Sequence, residues 1–139
     1  MQKLILDTNV LISSLIQRSY PFVIVDRIFG GDEFELCISD ILMQEYHEVL
    51  NRRKFSKYPD FILKAEALLA DIERKGKHYL PKSTLQIIND LADNRLLELD
   101  EESNANFLIT GNSNDFTMTL FKETRIVSPK EFYEILEGL

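Results

Sequence analysis

Short apolar runs that stop at polar turn formers, with longer helical-period segments between them, constrain this chain's fold more than any other feature. Lys3-Leu4-Ile5-Leu6 stops at Asp7-Thr8-Asn9, and a second run over residues 34–38 stops at Ser39. Phe107-Leu108-Ile109-Thr110 stops at Gly111-Asn112, and Ile126-Val127 is a short fourth run. Such runs read as buried strands. Between them, Val10, Leu11, Ile12, Leu15 and Ile16 recur with helical spacing. Pro21 opens a second helical pattern through Val25 and Ile28, closed by Gly30-Gly31. Ser39 is a good N-cap for a helix with Ile41, Leu42, Glu45, Val49 and Leu50 along one side. Pro59-Asp60 starts a helix (Phe61, Ile62, Ala65, Leu68, Leu69, Ile72) ending near Gly76. Residues 79–88 are ambiguous, with one or two short extended pieces expected. Asp93 or a neighbour begins a helix through Leu96, Leu97 and Leu99. Ser128-Pro129-Lys130-Glu131 combines an N-cap, a proline at the first helical position and a capping-box glutamate.

Strands separated by helices predict βαβ units and a mostly parallel sheet covered on both faces. In open sheets of that kind the functional crevice lies outside the carboxyl ends of the strands. Residues that terminate strands are therefore the ones to inspect. The 139 residues contain no repeat, low-complexity tract or Gly/Ser linker, and a single domain over 1–139 is expected. Apolar residues make up 45% and charged residues 28%, a composition that can build one hydrophobic core. No stretch approaches the ~20 apolar residues of a membrane span, and no secretory leader is expected. A lone cysteine, Cys37, cannot form an internal disulfide, which fits a cytoplasmic setting. The net charge of −7 does not exclude a nucleic-acid partner, because carboxylates gathered to hold cations make a protein acidic while the cations meet phosphates.

Four positions, one of them a pair of aspartates, need an account. Asp7 ends the first strand, where it reads equally as a turn former, a helix cap or a ligand. Glu45 has Ile41 and Leu42 one turn before it and Val49 one turn after, so its carboxylate points toward core or cleft. A buried carboxylate requires a basic partner such as Arg52 or Arg53, an edge from which to reach water, or a cation. Asp90 and Asp93 sit three apart at a helix entrance, as an N-cap and a dipole-stabilising charge or as ligands. Asn112 ends the third strand, in an ordinary turn or at a site. All four can be brought to one sheet edge. Hard cations such as Mg²⁺ or Mn²⁺ take oxygen ligands and keep several waters, so two or three carboxylates suffice. His47 and His78 suggest no other chemistry, and no GxSxG, P-loop or GxGxxG is present.

The chain resembles the PIN domain family, in the branch of toxins from bacterial toxin–antitoxin pairs. Residues 4–13 (LILDTNVLIS) match the family's opening motif, and Ser39-Asp40 through Glu45, with Val49-Leu50, its second acidic segment. Asp90-Leu91-Ala92-Asp93-Asn94 resembles the third segment, residues 107–112 the strand and turn after it, and residues 126–132 the closing strand and helix. The resemblance implies an α/β three-layer sandwich with four or five parallel strands between helices. It implies a Mg²⁺- or Mn²⁺-dependent endoribonuclease in which Asp7, Glu45 and Asp93 hold the metal, with Asp90 as a helper. It further implies an RNA substrate, an antitoxin protein partner and a homodimer. Asn112 departs from the aspartate found there in many relatives, and supplies a neutral oxygen to the metal site; Asp115 lies three residues on. A non-catalytic PIN-like scaffold that binds protein or RNA is the rival expectation. A phospho-acceptor receiver domain fits poorly, since no acidic pair accompanies the first strand. The basic segment Arg52-Arg53-Lys54 with Lys57 is a candidate RNA contact or a solvated loop.

Overall fold

The computed structural model describes residues 1–112, 116 and 118–139. Strand β1 (Gln2–Leu6) leads straight into helix α1 (Thr8–Ile16), and α2 (Tyr20–Phe29) returns the chain to β2 (Phe34–Ile38). Helix α3 (Asp40–Leu50), a 3-10 turn (Arg53–Phe55) and α4 (Phe61–Lys75) precede the two-residue strand β3 (Lys77–His78). After an irregular segment come α5 (Leu91–Ser103), β4 (Phe107–Ile109), the β5–β6 hairpin (Leu120–Phe121, Thr124–Val127) and α6 (Pro129–Glu137).

The sheet order is β3-β2-β1-β4-β6-β5, parallel throughout except for the antiparallel β5–β6 pair. Five of the described strands run parallel, as the four or five expected, and β5 is an added two-residue antiparallel edge piece too short to show periodicity. Apolar strands buried on both sides are what a parallel sheet under two helical layers requires. Register places Leu4 beside Leu36 and Phe107, so by pleat alternation Phe34, Leu36 and Phe107 share one face. There Phe132 of α6 packs its ring 5.8 Å from Phe34 and 5.2 Å from Phe107. On the opposite face Lys3, next to α5, donates from Nζ to the Ser103 carbonyl at 3.2 Å.

Several starts and stops follow directly from local chemistry. Ser39 accepts from the Leu42 amide, and Ser128 with Glu131 forms a complete capping box. Glycine is required at Gly76, where α4 turns into β3: an added Cβ would meet Ile38 Cδ1 at 2.5 Å and the Ile72 carbonyl oxygen at 2.7 Å. On α3 the buried side consists of Leu42, Met43, Tyr46, Val49 and Leu50, whereas Ile41 is half exposed. The buried stripe is therefore rotated from the expected one: Glu45 sits at the border of the apolar face, next to the buried Tyr46.

No helix among the described residues is long and apolar enough to cross a membrane.

Candidate metal centre

Strand order reverses direction at β1. From β1 the chain builds outward through β2 to β3, then crosses back to place β4 on the other side of β1. A crevice opens at such a switch point, outside the carboxyl ends of the two strands. Asp7 follows β1 and Thr110 follows β4. The Asp7 amide donates to the Ile109 carbonyl at 2.9 Å, which locks the two strand ends together.

Asp7 occupies the N-cap position of α1, but its side chain makes no capping hydrogen bond. Its Oδ2 instead accepts from Thr110 Oγ1 at 2.8 Å and from Asn9 Nδ2 at 3.4 Å. The same Asn9 accepts the Gly111 amide on Oδ1 at 2.9 Å, and Thr110 Oγ1 accepts the Asn112 amide at 3.1 Å. The two strand-ending turns are thus stitched across the crevice. Burial pushes the Asp7 carboxyl above its ordinary pKa. The Thr110 hydrogen bond opposes that push, the charge of Glu45 adds to it, and the amides of Thr8 and Asn9 oppose it further.

Glu45 arrives from α3. Its Oε2 accepts a short hydrogen bond from Thr8 Oγ1, one residue beyond Asp7. The next residue, Tyr46, is fully buried and donates its hydroxyl to the Leu6 carbonyl at 2.5 Å. That bond pins α3 to the last residue of β1, so the helix cannot slide away from Asp7. Burial, with the charges of Asp7 and Glu45 behind it, raises the Tyr46 phenol well above its ordinary pKa and keeps it a donor.

The third acidic segment is placed by α5. Asp90 is the N-cap, its Oδ1 accepting the Asp93 amide at 3.1 Å, and Asp93 stands half-buried in the first turn. Both cap chemistry and the positive end of the helix suit carboxylates there. Asn112 is exposed and joins the crevice through its backbone amide; Asp115 lies outside the described residues. A groove of about 260 Å³ runs beside α3 and α5, lined by Ile41, Leu80, Lys82 and Arg95 among others.

The structure therefore brings Asp7 and Glu45 together, while among the described residues no three His, Cys, Asp or Glu side chains are grouped closely enough to hold a metal. The donor chemistry nonetheless fits a hard cation. Neither Asp7 nor Glu45 forms an ion pair among the described residues, and the charge of Glu45 adds to the cost of ionising Asp7. Mg²⁺ is commonly held by one or two carboxylates and several waters, which this pair can supply. Sequence reasoning named the acids but not their supports. Thr8, Asn9 and Thr110 lay inside the quoted motifs, while the apolar spacing of Tyr46 after Leu42 was the signal for its burial.

A family model described as a PIN domain aligns with residues 3–114, from the start of β1 to just past the turn after β4. A search of curated proteins found no match.

Proposed function

The chain belongs to the PIN domain family, whose members are generally nucleases, and from that premise we propose that it is a metal-dependent endoribonuclease, the toxin of a toxin–antitoxin pair. The observation that carries this reading is the Asp7–Glu45 pair at the switch-point crevice, partly buried and without a basic partner among the described residues. Asp7, Glu45 and Asp93 hold Mg²⁺ or Mn²⁺, with Asp90 and the neutral Asn112 beside them. When bound, such a cation lowers the pKa of a water and stabilises charge on the attacking and leaving oxygens of a phosphodiester.

The chain's own residues do the rest. Thr110 and Asn9 orient Asp7 through hydrogen bonds to its carboxylate, and the Thr110 bond opposes the upward push of burial on its pKa. Thr8 orients Glu45, and Tyr46 fixes the helix that carries it. The groove beside α3 and α5, with Lys82 and Arg95 along it, is the path proposed for a single strand of RNA. An antitoxin protein and a second copy of the chain are the partners proposed with this role. Cleavage of single-stranded RNA in Mn²⁺ by wild type and Asp7→Asn is the direct test. The variant should lose more than the roughly 10–100-fold that removing a group hydrogen-bonded to a metal ligand costs; equal rates would reject the site.

A binding module with a weak metal site is the second reading. Asn112 favours it, since a neutral amide leaves the crevice with less negative charge than an aspartate. Calorimetry separates the two: a weak site gives no Mn²⁺ binding heat at millimolar concentrations.

A further inference from the structure

Residues 79–90, between β3 and α5, contain no helix or strand, yet side chains of α5 tie them down. Glu98, buried, accepts the Leu85 amide at 2.8 Å. Asn94 is 4% exposed and is bonded at every position its amide group offers. Its Oδ1 accepts the amides of Ile87 and Ile88, each at 3.0 Å, and its Nδ2 donates to the carbonyls of Ile88 at 2.5 Å and Asp90 at 3.1 Å. Leu85 is held by Glu98, and Ile87 and Ile88 by Asn94, so the segment advances as its anchors retreat along the helix. It is a strap running antiparallel to α5 and turning into it at Asp90.

A four-bond side chain of this kind sets local backbone rather than merely filling space. Removing it strands the Ile87 and Ile88 amides and the Ile88 carbonyl at once, while the Asp90 carbonyl keeps the Asn94 backbone amide, and the cheapest relief is for residues 87–90 to move. Those residues end in Asp90, whose carboxylate caps the turn that presents Asp93. We propose that Asn94 is a positioning residue for the metal centre: it holds the strap so that Asp90 and Asp93 are set for the divalent cation. The proposal rests on the metal-dependent reading above and adds to it a residue that is not itself a ligand. Groups that orient ligands from behind in this way tune metal affinity without touching the ion.

The test measures Mn²⁺ affinity by calorimetry, and thermal stability beside it, for wild type, Asn94→Ala and Phe132→Leu. Phe132 packs on Phe34 and Phe107 at the amino ends of their strands, so its variant loses stability without touching the acids. Asn94→Ala should weaken Mn²⁺ binding by roughly 10–100-fold, and Phe132→Leu should leave it within about twofold. Equal affinity in Asn94→Ala and wild type, or equal losses in the two variants, overturns the proposal. Wild type without Mn²⁺ binding overturns the metal reading itself and this proposal with it. If Asn94→Ala does not fold, amide exchange on wild type decides. The Ile87 and Ile88 amides should be protected and become more so with Mn²⁺, and no change on adding Mn²⁺ counts against the proposal.

Discussion

At the scale of single residues, the proposed metal centre turns on what opposes burial at the partly buried Asp7 carboxyl. Burial and Glu45 push its carboxyl pKa up, and the Thr110 hydroxyl is the largest opposing influence. Cation binding requires the carboxylate, so affinity must weaken as pH falls through the Asp7 titration and strengthen as it rises. Thr110→Val removes the opposing hydrogen bond and should move that acid limb to higher pH, with affinity at neutral pH falling about 10-fold or more. Mn²⁺ titrations across a pH series would reveal the displacement. A limb that stays in place would mean that the Thr110–Asp7 bond does not tune the acid.

At the scale of elements, α5 does two tasks at its two ends. Its first turn carries the acids, and its last turns join the sheet. Near the carboxyl end Asp100, 2% exposed, accepts a short hydrogen bond from Thr124 of β6 through Oδ1, while Oδ2 has no partner among the described residues. Burial pushes the Asp100 pKa up to about 6, against the Thr124 bond and the Lys122 charge. Because the folded value lies above the unfolded value of about 3.9, stability is greatest below the latter and is lost as pH rises through 6. A shift of that size corresponds to on the order of 2–3 kcal/mol. Asp100→Asn keeps the acceptor for Thr124 and removes the charge; Ser103 Oγ, also without a partner among the described residues, is a candidate acceptor for the new amide. Urea melts should show the variant more stable than wild type at pH 7.5 and its stability flatter between pH 4 and 7. At the α4–β3 junction, Gly76→Ala forces a methyl against Ile38 and the Ile72 carbonyl, and should cost about 1–3 kcal/mol in the same assay.

At the scale of the whole molecule, the proposed nuclease role requires an acidic chain to attract a polyanion. Exposed Arg53, Lys54 and Lys57 follow α3, and none forms an ion pair among the described residues, whereas Arg52 is paired with Glu48 at 3.2 Å. Helix rise carries α3 about 7.5 Å along its axis from Glu45 to its last residue, Leu50, just before this segment. Lys54 lies 5.2 Å from the Phe55 ring and Lys57 5.4 Å from that of Tyr58, which holds both cations near defined positions. The triple variant Arg53→Ala/Lys54→Ala/Lys57→Ala should raise KM for single-stranded RNA severalfold and leave Mn²⁺ affinity alone. Its binding should also depend less steeply on salt, by about 0.7 in log–log slope for each phosphate that is no longer neutralised. An unchanged KM and salt slope would return the segment to the role of a solvated loop.

Most of the architecture was legible from local physics. Residues 34–38 carry their strand in their apolar run, and Ser39 and Ser128 announce their helices through side-chain oxygens that reach amides three residues away. The acid at the end of β1 was legible for the same reason, because Asp-Thr-Asn interrupts an apolar run. Other features depend on distant parts of the chain. The β3 strand has two exposed residues and exists only through pairing with Cys37 and Ile38. The side of α3 that turns inward is set by Tyr46 reaching the Leu6 carbonyl, forty positions back, which sequence spacing around Glu45 alone cannot show. Asp7 could be a cap or a ligand by sequence; the fold gives its carboxylate to Thr110, one hundred and three positions away, and leaves α1 without a side-chain cap. Local patterns are written in nearest neighbours, whereas the partner that sets a carboxylate's charge is decided only when strands from opposite ends of the chain lie side by side.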